Sequence, residues 1–183
     1  MKLISSEERY RTPIFWVTED RAVDPDGFEI HRHIVQHRGS AVMVAVDRKR
    51  RVLLVRQYRL PALKSMWELP AGRLDEGEKT LPAARRELEE ETGYRARTWK
   101  KLVSFYPSPG YVAEKMTIYL AANLVEGPAA PMEDERIECR WFTAREIDAM
   151  IRNGRIADAK TLIGFLVWKA GHSPQSHKGH RGS

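Results

Sequence analysis

The chain contains a single cysteine, Cys139, so no disulfide can form within it. That fits a reducing compartment. No stretch approaches the ~20 apolar residues that cross a bilayer. Residues 1–4 run at once into Ser5-Ser6-Glu7-Glu8, leaving no apolar region long enough for a secretory leader. The expectation is a cytoplasmic protein with no membrane partner. Internal repeats are missing, and so are long blocks of one charge. The net charge is +6, yet the basic residues are scattered. The one cluster, Arg48-Lys49-Arg50-Arg51, is shorter than a usual nucleic-acid patch. No aromatic and basic residues interleave in a nucleic-acid motif, so no nucleic-acid partner is expected. A basic balance also suits the steering of polyphosphate anions. With 183 residues, 42% of them hydrophobic, the chain has the length of one globular domain with a sizeable core.

What stands out is residues 72–94, GRLDEGEKTLPAARRELEEETGY. Glu87, Glu90 and Glu91 fall within about one helical turn, just after Arg86. Residues three and four apart are helix neighbours, and like charges at that spacing oppose the helix by ~0.2–0.5 kcal/mol per pair. Such a cluster suits a hard divalent cation; taken alone it suits a solvated acidic face equally well. The flanks argue for a helix. Pro70-Ala71-Gly72 reads as a turn, Thr80 as the cap, and Pro82 is tolerated in a first turn. Leu81, Ala84 and Leu88 share an apolar stripe beside the acids, and Gly93 supplies the left-handed stop.

Elsewhere residues 14–18 and 28–36 are strand-like, joined by the turn Asp24-Pro25-Asp26-Gly27. Residues 40–46 and 52–55 are valine-rich runs that read as a buried hairpin. Residues 67–69, 102–106 and 116–122 are further strands, with Pro107-Ser108-Pro109-Gly110 breaking the chain between the last two. Residues 125–135 form a proline- and acid-rich loop. Trp141-Phe142 closes a strand. Thr143 caps a helix with Glu146 in the capping-box place, Asn153-Gly154 stops it, and Asp158 opens a last helix to Lys169. The tail 171–183 has a disordered composition; its histidines His172, His177 and His180 are expected to be idle. Strands, a helix, strands and two helices predict an α/β (α+β) fold with a mixed sheet sandwiched by helices. The division is an N-terminal β segment at 1–38, a main domain at 39–170 and the tail.

The segment 72–94 resembles the signature of the Nudix hydrolase family: Gly, five residues, Glu, seven residues, Arg-Glu-apolar-any-Glu-Glu-any-Gly-apolar. Gly72, Glu78, Arg86, Glu87, Leu88, Glu90, Glu91 and Gly93 fill the fixed places, and Tyr94 stands where an aliphatic residue is usual. The resemblance spans 23 residues and is specific because so many positions are fixed. It implies the Nudix α/β/α sandwich and a pyrophosphohydrolase using Mg2+, with Mn2+ as the alternative, in two or more ions. Glu87 and Glu91 would be metal ligands, with the carbonyl of Ala71. Glu90 would be a further ligand or a support behind them, Arg86 would orient the acids, and Glu78 would brace the loop.

Pro109 lies sixteen residues past Gly93. With Ser108, Gly110 and Glu114, and with Val55-Arg56-Gln57-Tyr58-Arg59, it resembles the ADP-ribose pyrophosphatase branch. The implied substrate residues are Arg59, whose planar fork suits a phosphate, Pro109, Gly110 and Glu114, the last near the terminal ribose or a metal. By the same resemblance the acidic loop supplies Glu133 as base and Glu135 as a metal ligand. In an extended loop these two face one way and Asp134 the other. The branch forms homodimers that exchange N-terminal segments, so Phe15, Trp16, Phe28 or Arg32 could reach adenine in the partner or belong to the core. The expected activity is hydrolysis of ADP-ribose to AMP and ribose 5-phosphate. The rivals are a broader nucleoside-diphosphate-sugar hydrolase, a non-catalytic ADP-ribose-binding regulator and an RNA-cap hydrolase.

Overall fold

The structure, a computed structural model, describes residues 1–127 and 137–171. Three strands, β1 (Lys2–Arg11), β2 (Trp16–Val23) and β3 (Glu29–Gln36), form an antiparallel sheet in the order β1-β2-β3. β1 is all but unburied and carries five charged residues. Having no apolar run, it gives no strand signal on its own, and it exists through its pairing with β2. The chain then runs through β4 (Ser40–Ala45), β5 (Val52–Arg59), a 3-10 turn at Leu60–Ala62, β6 (Lys64–Glu68), β7 (Ala71–Arg73) and helix α1 (Thr80–Thr92). Two long strands, β8 (Tyr94–Phe105) and β9 (Met116–Glu126), follow. After them come β10 (Glu138–Phe142), α2 (Ala144–Arg152) and α3 (Ala159–Ala170).

β4 explains the layering. Every residue from Ser40 to Ala45 is buried, as a strand covered on both faces requires. Val42 and Val44 face one core with Phe165 and Trp168 of α3 and with Ile147 and Met150 of α2. Ala41, Met43 and Ala45 face the other, against Ala83, Ala84 and Leu88 of α1. Helices therefore cover both faces, and the sheet is mixed: β4 pairs parallel with β9 and antiparallel with β7. No described helix is long and apolar enough to cross a membrane.

The expected hairpin of residues 40–46 and 52–55 is not formed. The chain does turn, with Asp47 accepting from the Arg51 amide at 2.7 Å. Beyond the single Val46–Val52 bridge the strands part, β4 into the order β7-β4-β9-β8 and β5 into β10-β5-β6. A strand apolar on both faces is better satisfied between two strands of its own sheet than at a hairpin edge. Pro70-Ala71-Gly72 is likewise not a turn, because Ala71 opens β7 and pairs with Val42. β8 begins eight residues before the expected 102, and its charged first half is tolerated because β8 is the sheet edge. The capping box of Thr143 and Glu146 and the Asp158 cap form as expected.

Candidate active site

α1 begins after Lys79, and no side chain caps it. Thr80, the expected cap, is instead the first helical residue, and its hydroxyl shares a 2.6 Å hydrogen bond with the Tyr119 hydroxyl. Gly93 closes the helix at φ 72°, its N–H bonded to the Glu89 carbonyl. Ala83, Ala84 and Leu88 bury one face completely, so the adjoining face presents Arg86, Glu87, Glu90 and Glu91.

Arg86 binds these acids together. Its Nη1 donates to Glu87 Oε1 at 2.7 Å and to Glu90 Oε2 at 3.0 Å. Its Nη2 donates to Glu78 Oε2 at 2.9 Å and to the Arg73 carbonyl at 3.0 Å. The Glu78 hydrogen bond, with those to Glu87 and Glu90, holds the guanidinium well above its ordinary range against the opposing effect of burial. Reciprocally, Arg86 holds Glu78 below the usual carboxylate range. Glu78 Oε2 also accepts from the Asp75 amide at 3.0 Å, so it fastens the loop between β7 and α1.

Gly72 is required by close approach. A Cβ built there would lie 1.8 Å from Glu87 Cδ and 2.1 Å from both its carboxylate oxygens. The Glu87 carboxylate thus lies directly against the backbone of β7. Next to it, Glu91 is 8% exposed and its Oε2 accepts from the Ala71 amide at 3.0 Å. Glu87, Glu91 and the peptide of Ala71 and Gly72 are brought together, and the Ala71 contact is through its amide rather than the carbonyl that the resemblance implies as a ligand.

Among the described residues no three acids, cysteines or histidines form a ready cage for an ion. Arg86 engages Glu87 and Glu90, and the Ala71 amide engages Glu91. The donors are nevertheless hard carboxylate oxygens on one helical face. The side chain missing from Gly72 leaves room for the Glu87 carboxylate there. Glu87 and Glu91, with Glu90 beside them, are of the kind that would hold a divalent cation. Glu133 and Glu135 lie outside the described residues.

Arg59 ends β5 and is engaged by Glu68 through two of its nitrogens, Nε at 2.9 Å and Nη2 at 2.7 Å. Pro109 and Gly110 line a cavity of about 340 Å³ with Arg32 and Ile34 of β3, Tyr106 and Tyr111. The loop that carries them is sewn to β3: the Val35 amide donates to the Tyr111 carbonyl at 2.8 Å, and the Ala113 amide to the Val35 carbonyl at 2.9 Å. Glu114, at the end of that loop, accepts from Ser40 Oγ at 2.5 Å and lies 3.6 Å from His37 Nδ1. Of the N-terminal candidates, Arg32 reaches this cavity, Trp16 stacks under Arg11 at 4.9 Å, and Phe28 is 66% exposed. Phe15 lies 6.5 Å from the ring of Tyr10.

Sequence reasoning misses Glu68, Lys160, Ser40 and His37. None belongs to a local pattern: Glu68 and Lys160 are 92 residues apart, and Ser40 and Glu114 are 74 apart. The WELPAG run at 67–72 carries a charge between apolar residues, which is the one signal that could have marked Glu68.

The NUDIX domain model matches residues 35–163. A methanol dehydrogenase activator of Bacillus methanolicus is 37% identical over 164 residues, 88% of this chain and 89% of that protein. An ADP-ribose pyrophosphatase of Bacillus subtilis (strain 168) is 33% identical over 179 residues, 97% of each chain. A solved structure described as the crystal structure of an ADP compounds hydrolase shares the fold, with a TM-score of 0.79 at 19% identity over 93% of this chain and 94% of that one.

Proposed function

The chain belongs to the NUDIX family, and from that premise we propose that it hydrolyses the pyrophosphate of ADP-ribose to AMP and ribose 5-phosphate with Mg2+. The observation that carries the reading is the Glu87 carboxylate seated in the space left by Gly72, beside Glu91 on the Ala71 amide and braced by Arg86. A family relative matching 97% of the chain supports the choice of substrate. Bound Mg2+ would neutralise phosphate charge and favour ionisation of the attacking water.

The remaining work falls to the chain's own groups. Glu87 and Glu91 hold the cation, with Glu90 beside them, and Arg86 sets their directions. Arg59 orients a phosphate, and the cavity of Pro109, Gly110, Arg32 and Tyr111 receives part of the nucleoside diphosphate sugar. Glu114, already oriented by Ser40, meets the terminal ribose. Glu133 takes the proton of the attacking water, since a carboxylate committed to a metal is a poor acceptor, and Glu135 adds a ligand when substrate is present. Water oxygen bonds to one phosphorus while the bridging oxygen leaves with the other phosphate. Glu133→Gln is expected to lower kcat by ~10²–10⁴ with little change in KM, the usual range for a positioned base.

The β1-β2-β3 sheet and its turns leave apolar surface uncovered: Leu3, Ile4 and Tyr10 of β1, with Ile14 and Phe28 of the turns, are all exposed. On this reading residues 1–38 lie against a second copy, and sedimentation should show a homodimer. A monomer at micromolar concentration would reject that assembly.

The deciding experiment is kcat/KM with Mg2+ for ADP-ribose, GDP-mannose and nucleoside triphosphates. ADP-ribose should lead. Equal rates across the diphosphate sugars would favour the broader hydrolase, and a leading triphosphate would refute the substrate assignment while leaving the family intact.

A further inference from the structure

Glu68, the last residue of β6, is 1% exposed. A carboxylate so deeply buried is unfavourable unless it is paired and hydrogen-bonded, and its pairing is unusually complete. Oε1 accepts from Arg59 Nε at 2.9 Å and Oε2 from Arg59 Nη2 at 2.7 Å. Lys160 Nζ, from the first turn of α3, also donates to Oε2. Lys160 is itself 8% exposed, and its Nζ lies 3.0 Å from Asp158 Oδ1. The other oxygen of Asp158 accepts from the Thr161 hydroxyl at 2.6 Å, and that hydroxyl in turn accepts from the Leu69 amide at 2.8 Å. The start of α3 is thereby fastened to Glu68 and Leu69, immediately before the Ala71 and Gly72 peptide that supports the acids of α1.

Replacing such a network with apolar groups is often neutral for stability or even favourable, so folding alone does not account for it. What it does determine is the direction of Arg59. With the Nε and Nη2 edge held by Glu68, the planar guanidinium turns Nη1 to the opposite side. The Arg59 side chain is 38% exposed while Glu68 is 2% exposed, so the fork is anchored on the protein side and open on the other. Glu91 is among the acids whose charge Arg59 senses, after its hydrogen-bonded partner Glu68 and after Asp158.

We propose that Lys160 is a positioning residue for the pyrophosphate: acting through Glu68, it holds the Arg59 guanidinium in the orientation that grips the substrate. Lys160 touches no reacting atom. Without its ammonium, Glu68 keeps one cation instead of two and Asp158 loses its partner across the cluster. The carboxylate can then rotate, and Arg59 follows it. A displacement of about 1 Å in a positioning group lowers turnover by about 10². This inference rests on the proposed function in that Arg59 is taken to meet a phosphate.

The test is a double-mutant cycle of Lys160→Met and Arg59→Ala, with Lys160→Arg as the conservative variant. It is read as kcat and KM for whichever nucleoside diphosphate sugar is cleaved best, and as Kd for ADP-ribose in EDTA, where no turnover is needed. In the native background Lys160→Met should lower kcat/KM at least tenfold and weaken binding in EDTA, and Lys160→Arg should restore most of the loss. In the Arg59→Ala background Lys160→Met should change neither readout by more than twofold, because the residue it positions is gone. Equal losses in both backgrounds, or no loss in the native one, would overturn the inference. If Lys160→Met does not fold, Lys160→Gln, which keeps a donor toward Glu68 without the charge, goes through the same cycle with the same criteria. A protein that binds ADP-ribose in the expected pattern yet cleaves no diphosphate sugar would end the proposed function and leave this inference standing.

Discussion

Arg86 and Glu68 each stand at the centre of an ionic cluster, one built round a cation and the other round an acid. Arg86 is 28% exposed in its side chain and gathers Glu78, Glu87 and Glu90. Glu68 is 2% exposed in its side chain and gathers Arg59 and Lys160, with Asp158 beyond. The first cluster has three hydrogen-bonded acids to one base, with Asp75 at 3.8 Å, and every member is partly exposed. The second has two acids and two bases, and its centre, Glu68 and Lys160, is enclosed while Arg59 reaches solvent. An excess of negative charge at an open surface is repulsive until a cation arrives, so it marks a place where something binds. A neutral cluster needs no counter-ion from outside, and it fixes the direction of the Arg59 fork that it leaves open. On the proposed function, chemistry would fall to the first cluster and its alignment to the second.

If the open cluster is the one that binds, removing its acids should have the largest effect of all. Glu87→Gln and Glu91→Gln are each expected to reduce kcat/KM by about 10³ or more. Metal stabilisation of developing charge is worth several kcal/mol, and each 1.36 kcal/mol is tenfold in rate. Circular dichroism should show the fold retained. Near-native turnover of both variants at saturating Mg2+ would remove the distinction between the clusters.

A subtler break comes from Gly72→Ala. The added methyl would sit 1.8 Å from Glu87 Cδ, the far end of a flexible side chain. The carboxylate can swing aside, so the fold should persist with a small change in Tm. Catalysis should not: a displacement near 1 Å corresponds to about 10² in rate. Measuring kcat/KM beside Tm separates the two. A matched loss of stability and activity would mean that Gly72 serves packing.

The two clusters also differ in how much of each is legible in the chain. Arg86, Glu87, Glu90 and Glu91 lie within six positions, so helix periodicity alone places them on one face. Glu78 is one loop away, and its tie to Arg86 follows from the same segment. Glu68 and Lys160 are 92 residues apart, and nothing local links them. The fold shows the same division. β4, β9 and the capped helices α2 and α3 announce themselves through apolar runs and end signals. β1 and the first half of β8 do not, because a strand at a sheet edge with charged side chains gains its stability from a partner strand rather than from its own pattern. The parting of β4 from β5 was hidden for the same reason: sheet membership is decided by what covers each face, which adjacency in sequence does not reveal.

The smallest effect should be on acid stability, and there salt distinguishes the clusters. Glu78 is held below its ordinary value of 4.5, chiefly by the Arg86 hydrogen bond. Burial pushes Glu68 upward, but the Arg59 hydrogen bonds and the Lys160 charge outweigh it, so Glu68 also ends below 4.5. In both cases the unfolded chain takes up the proton first as pH falls. The stabilisation is complete above about pH 4.5 and is lost as pH drops through the folded value. Glu78→Gln should therefore lower Tm at pH 7 and flatten its fall between pH 5 and pH 3. The change should be no more than about 2–4 °C, since a partly exposed pair contributes up to ~1 kcal/mol and that much shifts Tm by a few degrees at this chain length. In 1 M NaCl the Debye length shrinks to about 3 Å, so the pH dependence due to the solvent-facing Glu78 pair should fade. That of Glu68, seen by comparing Glu68→Gln under the same conditions, should survive, because enclosed charges are poorly screened. Equal sensitivity to salt in the two variants would show that the Glu68 cluster is as wet as the Arg86 cluster, and the contrast between an open binding cluster and a closed aligning one would fail.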